Sequence, residues 1–575
     1  MKDLTFRTLA GVDYYGTYYR NMTKSFNSGF LGDATNKLDQ GFKFMGDWQW
    51  QNTLNYSTEF GSDHRLTVLL GHEMTKYDNQ FFSGSRKGYS IENLDYMYLN
   101  TGSSSINNAG EGSSYTLLSF FGKADYQLMN KYLLSFTLRR DGSSRFAKDN
   151  RWGTFAAYSL GWRLSEEDFI RNLNLFSDLK LRYGWGQNGN QEIDNYAYMS
   201  IYKAIYGTPD SSVASNPDTG TAYDIAGNGS MVSGFARQQL GNKDLKWETT
   251  TQHNMGVDFG FLNNELTGSF DYFIKDTKDI LISPNYLAII GEGGKQWVNG
   301  ASMKNWGWEM QLNYSHTINS DWSWNAGLNV SHYKNEVTKL PKNVLTSYPG
   351  NGTTDVILGR SINSIYGYVA DGLFQNQAEV DAHATQTGAG PGRIRYKDLN
   401  NDKVIDDKDR TYLTDGLPKF EYGINLGLKW KDLSVSMFWQ GLQGIDVYNN
   451  IKTLTDFTSL YTGTNYGDRV LDAWTPENTG SSIPMLTFND ANNEGRRSSY
   501  YVENGSYLKL RNIQVGYSLK KFCDKVNWIS NADIYVQANN LLTIKSKDFT
   551  GVDPENSSNA YPRPMVTTIG LNVTF

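Results

Sequence analysis

The chain has a single cysteine, Cys523, among 575 residues, so an internal disulfide is impossible. Its six histidines are scattered, and no Cys/His cluster has zinc-site spacing. Cysteine usage leaves the compartment open, although near-absence of thiols suits a surface protein that avoids stray oxidation. Long hydrophobic runs are missing too. No stretch approaches the ~18 consecutive apolar residues of a spanning helix, which excludes helical membrane folds. Basic charge is not in excess, since 54 Lys and Arg face 60 Asp and Glu for a net charge of -6, and no nucleic-acid partner is expected. Proline is scarce at 12 against 56 glycines and 38 tyrosines, a balance that suits many strands joined by polar loops. The N-terminal stretch MKDLTFRTLAGVDYYG lacks the apolar core of a signal peptide and reads as a strand starting within a few residues of Met1.

What is present is length and alternation. At 575 residues the chain far exceeds the roughly 100–200 of one soluble domain, so it holds several domains or one large repetitive architecture. A mean hydropathy of -0.55 does not argue against a membrane barrel, because only alternate strand residues face lipid while the others face a wet interior. Between Tyr422 and Gln440, Ile424, Leu426, Leu428 and Trp430 alternate with Asn425, Gly427 and Lys429. After a turn at Lys431 and Asp432, Leu433, Val435, Met437 and Trp439 continue the pattern on the returning strand. This is a hairpin with one apolar face. Met255, Val257, Phe259 and Phe261 repeat it, as do Leu266, Gly268, Phe270 and Tyr272, and Ile569, Leu571, Val573 and Phe575.

Connections between these candidates alternate in length. Short ones fall near Asn130, at Asn263–Asn264, at Ile318–Asp321 and at Lys431–Asp432, with medium ones at Ser165–Ser177 and Lys520–Ser530. Longer ones fall at Asp141–Asn150, Asn188–Leu245, Thr277–Gly300, Glu336–Leu417, Tyr448–Tyr501 and Thr543–Pro564. Short periplasmic turns opposite long outer loops are the pattern of an outer-membrane barrel. Counting this way predicts about sixteen antiparallel strands, with both chain ends on the periplasmic side. A soluble protein of repeated hairpins is the alternative, and it has no reason to keep so strict a two-sided length rule.

Seven segments carry a family resemblance. They are RRDGSSRFAKDNRWGTFAAYSLGWRLSEEDF from Arg139, LKLRYGWGQNGNQEI from Leu179 and LGNKDLKWETTTQHNMGVDFGFLNNELTGSFDYFIKDTKDIL from Leu240, followed by GRSINSIYGYVADGLFQ from Gly359, LDAWTPENTG from Leu471, ENGSYLKLRNIQVGYSL from Glu503 and GVDPENSSNAYPRPMVTTIGLNVTF from Gly551. In this order they resemble the barrel of SusC/RagA-like TonB-dependent outer-membrane transporters over nearly the whole chain. The resemblance implies an all-β transmembrane antiparallel barrel, residues 1–575 supplying about 16 of a probable 22 strands, with the longest outer loop at about 336–417. It further implies residence in the outer membrane of a Gram-negative cell, in contact with outer-membrane lipid. Implied partners are a SusD-like surface lipoprotein and TonB, the solutes being oligosaccharides or peptides. Members of the family begin with a signal peptide, an accessory domain, a TonB-contacting segment and a plug. Against that pattern the chain reads as a partial sequence or truncated product, without the plug and about six strands. The other readings are a passive porin-like channel and a surface carbohydrate-binding or adhesion protein.

Catalytic motifs are weak. HEMTK at His72 lacks the second histidine of a zinc-protease helix. Gly184, Gly186 and Gly189 fit G-x-G-x-x-G, but at a strand end with no following helix, and GEGGKQ at Gly291 lacks the hydroxyl residue of a phosphate loop. No enzyme is expected. Arg139, Arg140, Asp141, Arg145, Asp149 and Arg151 are expected to form an ion-pair network at an outer corner. Trp297, Trp306, Trp308, Trp322 and Trp324 are expected in the interfacial girdle, with sugar stacking as the alternative. Phe575, ending an alternating strand, fits the terminal aromatic by which outer-membrane barrels are recognised for assembly.

One metal site is expected. In DLNNDKVIDDKD, Asp398, Asn400, Asp402, the Val404 carbonyl, Asp406 and Asp409 occupy the first, third, fifth, seventh, ninth and twelfth positions of a calcium loop. Hard oxygen ligands at that spacing can wrap one ion. Lys403 stands where such loops carry glycine, and Asp409 where they carry a bidentate Glu. A solvated, turn-rich acidic loop is the plainer alternative. The role expected of calcium is to fix loop shape.

Overall fold

The computed structural model describes residues 3–28, 31–205, 234–284, 296–341, 357–461, 465–523, 528–556 and 561–575. Sixteen strands make one antiparallel sheet whose neighbours follow chain order. They are β1 Leu4–Thr23, β2 Lys37–Phe60, β3 His64–Lys87, β4 Ser104–Leu128, β5 Tyr132–Ser143, β6 Trp152–Arg163, β7 Phe176–Asn190 and β8 Glu248–Phe261. Then come β9 Leu266–Ile282, β10 Val298–Thr317, β11 Trp322–Lys339, β12 Phe420–Trp430, β13 Leu433–Gln443, β14 Tyr507–Ser518, β15 Asn531–Lys545 and β16 Val566–Thr574. The expected strand number and the alternation of short and long connections are both present. The loop expected at Thr277–Gly300 is shorter, because β9 runs on to Ile282 and β10 starts at Val298. Inside Asn188–Leu245 a small hairpin pairs Ile201–Ile205 with Gly234–Gln239.

The tight turns are built by residues that accept left-handed backbone. Met129 and Asn130 have φ of 52° and 56°, and Leu262, Asn263 and Asn264 have 53°, 54° and 68°. Mirror-image turns of this kind match the twist of the strands they join, and Asn tolerates them best. Within the β10–β11 and β12–β13 hairpins the register places Leu312 opposite Leu328 and Leu426 opposite Met437. The apolar side chains therefore share one face, and Asn, Ser and Gly share the other.

The chain divides into two compact units. In the first (Met1–Ser159, Gly186–Thr250 and Asp279–Asn299), Phe146, Phe155, Ile193, Ala197, Leu245, Trp247 and Leu281 form a core at the loop end of the strands. Trp247 Nε1 donates to the Arg151 carbonyl at 2.9 Å. Of the G-x-G-x-x-G glycines, all on β7, Gly189 is required by packing, since a Cβ there would lie 2.1 Å from the Phe155 ring, whereas Gly184 has open space beside it. His72 lies in β3 beside Asn52 Nδ2 at 2.9 Å, which places HEMTK on a strand. The arginine corner differs from the network expected. Arg139 pairs with Asp141 at 2.7 Å, but Arg145 turns to Glu192 at 3.1 Å and Asn195 at 2.9 Å, and Arg140 covers the Trp152 ring. Arg145 is drawn to residues that follow β7, beyond the reach of a local charge pattern. Trp297 also departs from expectation, for it packs against the Phe146 core with Nε1 on Asp194 at 3.0 Å.

The second unit comprises Leu160–Trp185, Thr251–Lys278 and Gly300–Phe575. Here Arg182 on β7 holds both Asp258 on β8 and Asp271 on β9 in charge-assisted bonds of 2.7–3.0 Å, stapling three strands on their polar face. Trp322 stacks on Trp430 with centroids 5.5 Å apart, and Tyr314 meets Trp324 at 4.9 Å, both at the short-turn end. That is where one half of an aromatic girdle belongs. Phe575 stacks on Trp528 at 5.7 Å with planes 9° apart.

Candidate functional site

The loops joining β11 to β12 and β13 to β14 pack into a body of their own. Its core is aromatic: Tyr368, Leu373, Ile394, Tyr396, Ile405, Phe457, Trp474 and Tyr501 are buried together. Three short ribbons frame it, pairing Ile365–Tyr368 with Arg410–Thr414, Ala370–Leu373 with Ile394–Tyr396, and Asp446–Tyr448 with Val502–Asn504. Gly367 is required here, because a Cβ would sit 2.4 Å from the Arg497 carbonyl oxygen.

A buried polar network ties the two loops. Arg393 donates to Glu494 at 2.8 Å, with side chains 6% and 0% exposed. The other Glu494 oxygen accepts the Ile394 N–H at 3.0 Å. Gln386 bridges the Ile394 carbonyl at 2.8 Å and Asn492 at 2.7 Å, and accepts the Tyr396 N–H at 2.9 Å. Burial pushes the Glu494 carboxyl above its ordinary range, and Arg393 opposes the shift. A network this well satisfied fixes one arrangement of two long loops. On the flank, Glu503 accepts Thr550 N–H at 3.0 Å, Thr550 Oγ1 at 2.7 Å and Asn449 Nδ2 at 2.8 Å. Burial raises its carboxyl pKa, but these bonds outweigh burial and hold it below the ordinary range.

Against this core opens a cavity of about 590 Å³. Gly372, Gly480, Ser481 and Ser482 give it a small, polar lining, with Tyr500 and Lys452 at its side. Lys452 Nζ donates to the Tyr500 carbonyl at 2.5 Å, lies 3.4 Å from Glu503 and sits 3.8 Å from the Tyr500 ring centroid. Arg395 is offset by Glu379 at 3.4 Å. The charges around the cavity are thus balanced, and what it presents is hydroxyls, backbone and one aromatic ring.

The residues expected to bind calcium lie on the same loop. Asp398 Oδ2 accepts the Lys403 N–H at 2.8 Å, Asn400 the Asp402 N–H at 3.0 Å, and Asp402 the Val404 N–H at 3.0 Å. Asn401 and Lys403 have φ of 59° and 66°. Asp406 accepts the Lys408 N–H at 2.8 Å, and the fully buried Asp409 accepts from Leu399 and Asp406, each at 2.8 Å. Among the described residues no group of three or more His, Cys, Asp or Glu is gathered as a metal would need. The second oxygen of Asp398 is buried without a hydrogen-bond partner. Sequence reasoning missed Arg393, Glu494 and Lys452; the available signal was the density of tyrosines in segments too irregular to be strands.

A family model described as TonB dependent receptor-like, beta-barrel matches residues 2–541. The chain belongs to that family. TonB-dependent receptor P3 of Formosa agariphila is 30% identical over 553 residues, covering 91% of this chain and 52% of that protein. TonB-dependent receptor SusC of Bacteroides thetaiotaomicron is 30% identical over 472 residues, covering 80% and 44%. A solved structure of the RagAB peptide transporter superposes with a TM-score of 0.84 at 26% identity, covering all of this chain and 60% of that one. This TonB-dependent receptor barrel is therefore of the SusC/RagA kind and resides in the outer membrane. The chain spans about half the length of the curated relatives it matches. In outer-membrane barrels the long loops are the outward-facing ones, and the aromatic loop body with its cavity is built from the long connections of this sheet.

Proposed function

We propose that this chain is the barrel part of a nutrient importer that takes up large polar solutes, oligosaccharides or peptides, with energy delivered through TonB and a SusD-like lipoprotein on its outer face. Family membership carries the reading. The loop body supports it as a rigid docking platform, and Leu471 and Phe488, 88% and 90% exposed on the loop after β13, are apolar anchors of the sort partner surfaces bury. The test is uptake of labelled oligosaccharides and oligopeptides by cells carrying the complete gene, with and without TonB, beside a Phe488→Asp variant. Uptake that persists without TonB, together with liposome swelling by the purified chain, would replace the importer with a passive porin.

We also propose calcium as a structural ion of the loop Asp398–Asp409. The unpartnered Asp398 oxygen and the left-handed turns at Asn401 and Lys403 support it. Asp398, Asn400, Asp402, the Val404 carbonyl, Asp406 and Asp409 would hold the ion, which stiffens the loop and takes part in no reaction. Calorimetric titration of the full chain with calcium, against the Asp398→Ala/Asp402→Ala double variant, decides it: equal uptake by both removes the site.

A further inference from the structure

We propose that the outer end of the β10–β11 hairpin binds the phosphorylated sugar headgroup of an outer-leaflet glycolipid. The face these strands turn to lipid sets the height of the site. Reading the register upward from the short turn, that face carries His316 opposite Trp324, Tyr314 opposite Ala326, Leu312 opposite Leu328 and Met310 opposite Val330. Above them come Trp308 opposite His332, Trp306 opposite Lys334 and Lys304 opposite Glu336. The sequence of pairs runs from aromatic to aliphatic to aromatic to charged. Ten residues separate His316 from Trp306 on β10, roughly 33 Å along a strand and, at a tilt near 40°, about 25 Å along the membrane normal. That is the height of a barrel's apolar band. Trp306 and Lys334 therefore stand at the level of the outer headgroups.

At this level the loop after β11 folds back to enclose a cavity of about 320 Å³ lined by Trp306, Lys334, Glu336, Arg360, Tyr412 and Asp415, among others. The Arg360 guanidinium lies 4.2 Å from the Tyr412 ring centroid, and Lys304 Nζ lies 5.7 Å from that of Trp306. Among the described residues, Lys304, Lys334 and Arg360 form none of the ion pairs found elsewhere in the molecule, and neither do Glu336 and Asp415. Asp415 uses one oxygen on the Leu417 N–H at 3.2 Å. Three cations without a carboxylate partner at headgroup depth, Lys334 and Arg360 in the cavity lining and Lys304 beside it, suit phosphate. Two carboxylates and the hydroxyls of Ser361, Ser364 and Thr414 suit sugar hydroxyls, and the Trp306 and Tyr412 rings suit the flat faces of sugars. A diacyl phospholipid has phosphate but no sugar rings, so this lining favours the glycolipid.

The experiment reads glycolipid retained by the full chain. Wild type, Lys334→Ala/Arg360→Ala, the conservative Lys334→Arg/Arg360→Lys, and a control at the opposite end, Lys431→Ala, are extracted in mild detergent. Bound lipid A is measured by native mass spectrometry, and lipid A is then titrated against phosphatidylglycerol and phosphatidylethanolamine in nanodiscs. Wild type, the conservative variant and the control should retain lipid A. The double alanine variant should bind it about thirtyfold more weakly, as loss of two basic side chains at an anionic surface implies. Equal retention by the alanine variant, or equal binding of phosphatidylglycerol and lipid A by wild type, overturns the proposal. Heat-modified migration on gels identifies any variant that has failed to fold, and the conservative pair then carries the test.

Discussion

Glu555 clamps the loop between β15 and β16 onto β14. Its carboxylate accepts Lys509 Nζ at 2.7 Å, Tyr507 Oη at 3.0 Å and Arg511 Nη2, while Asp553 takes a second Lys509 bond at 2.6 Å. Lys509 is 3% exposed, so it depends on these two acids for its neutralisation. Burial raises the Glu555 pKa, but the bonds from Arg511, Lys509 and Tyr507 outweigh it and hold the carboxyl at about 2 against an ordinary 4.5. That difference corresponds to at most roughly 3 kcal/mol, and water reaching the carboxylate reduces it to about 1–2 kcal/mol. A group whose pKa is lowered on folding stabilises above its unfolded pKa. Its contribution is complete at pH 7 and fades as pH falls from about 4.5 toward 2. Glu555→Gln should therefore open the strap about 5- to 30-fold more often at pH 7. Hydrogen exchange over residues 546–556 measures this, because the Thr550 and Glu555 N–H groups are held by Glu503 and Asp553, each at 3.0 Å. The variant should lose the acid sensitivity that belongs to Glu555 and keep that of Glu503. Superimposable exchange curves for wild type and variant between pH 7 and 3 would refute the clamp.

Three other outcomes follow from the loop body. Arg393→Met strands the Glu494 carboxylate in the core at a cost of about 3–5 kcal/mol, so protease nicking of the loops should accelerate sharply; an unchanged cleavage rate would mean that the pair holds nothing together. Gly367→Ala forces a methyl group onto the Arg497 carbonyl and should destabilise the loop body by about 1–3 kcal/mol, read as earlier loss of tyrosine fluorescence in urea, with an unshifted midpoint counting against the contact. Calcium should slow exchange of the Lys403 and Val404 amides in wild type and leave the Asp398→Ala/Asp402→Ala chain unaffected, and a response shared by both would assign the effect elsewhere.

The strand framework was legible because its cause is local. A residue two places along a strand returns to the same face, so Ile424, Leu426 and Leu428 announce a lipid-facing side without reference to any partner. The tight turns were legible for the same reason, since Asn263 and Asn264 accept left-handed backbone where most residues do not. Loop ends were less so. Thr277–Gly300 reads as loop because strict alternation stops there and Pro284 and the glycines of GEGG punctuate it, yet β9 reaches Ile282 and β10 starts at Val298.

The loop body was not legible, and separation along the chain explains why. Arg393 and Glu494 are 101 residues apart, and Gln386 and Asn492 are 106 apart, so no window of local pattern contains either pair. The arginine corner failed in the same way, with Arg145 reaching Asn195 fifty positions on. The calcium proposal for Asp398–Asp409 could be made from sequence because a calcium loop gathers its ligands from twelve consecutive residues. Surface chemistry in this barrel thus divides by range. What a single loop encodes can be read from spacing, whereas the platform that would meet a solute or partner exists only once two distant loops have closed on Tyr396 and Tyr501, both fully buried. Substitutions around the loop-body cavity can change its lining without touching the β10–β11 strand pairs, because the two sets share no residue.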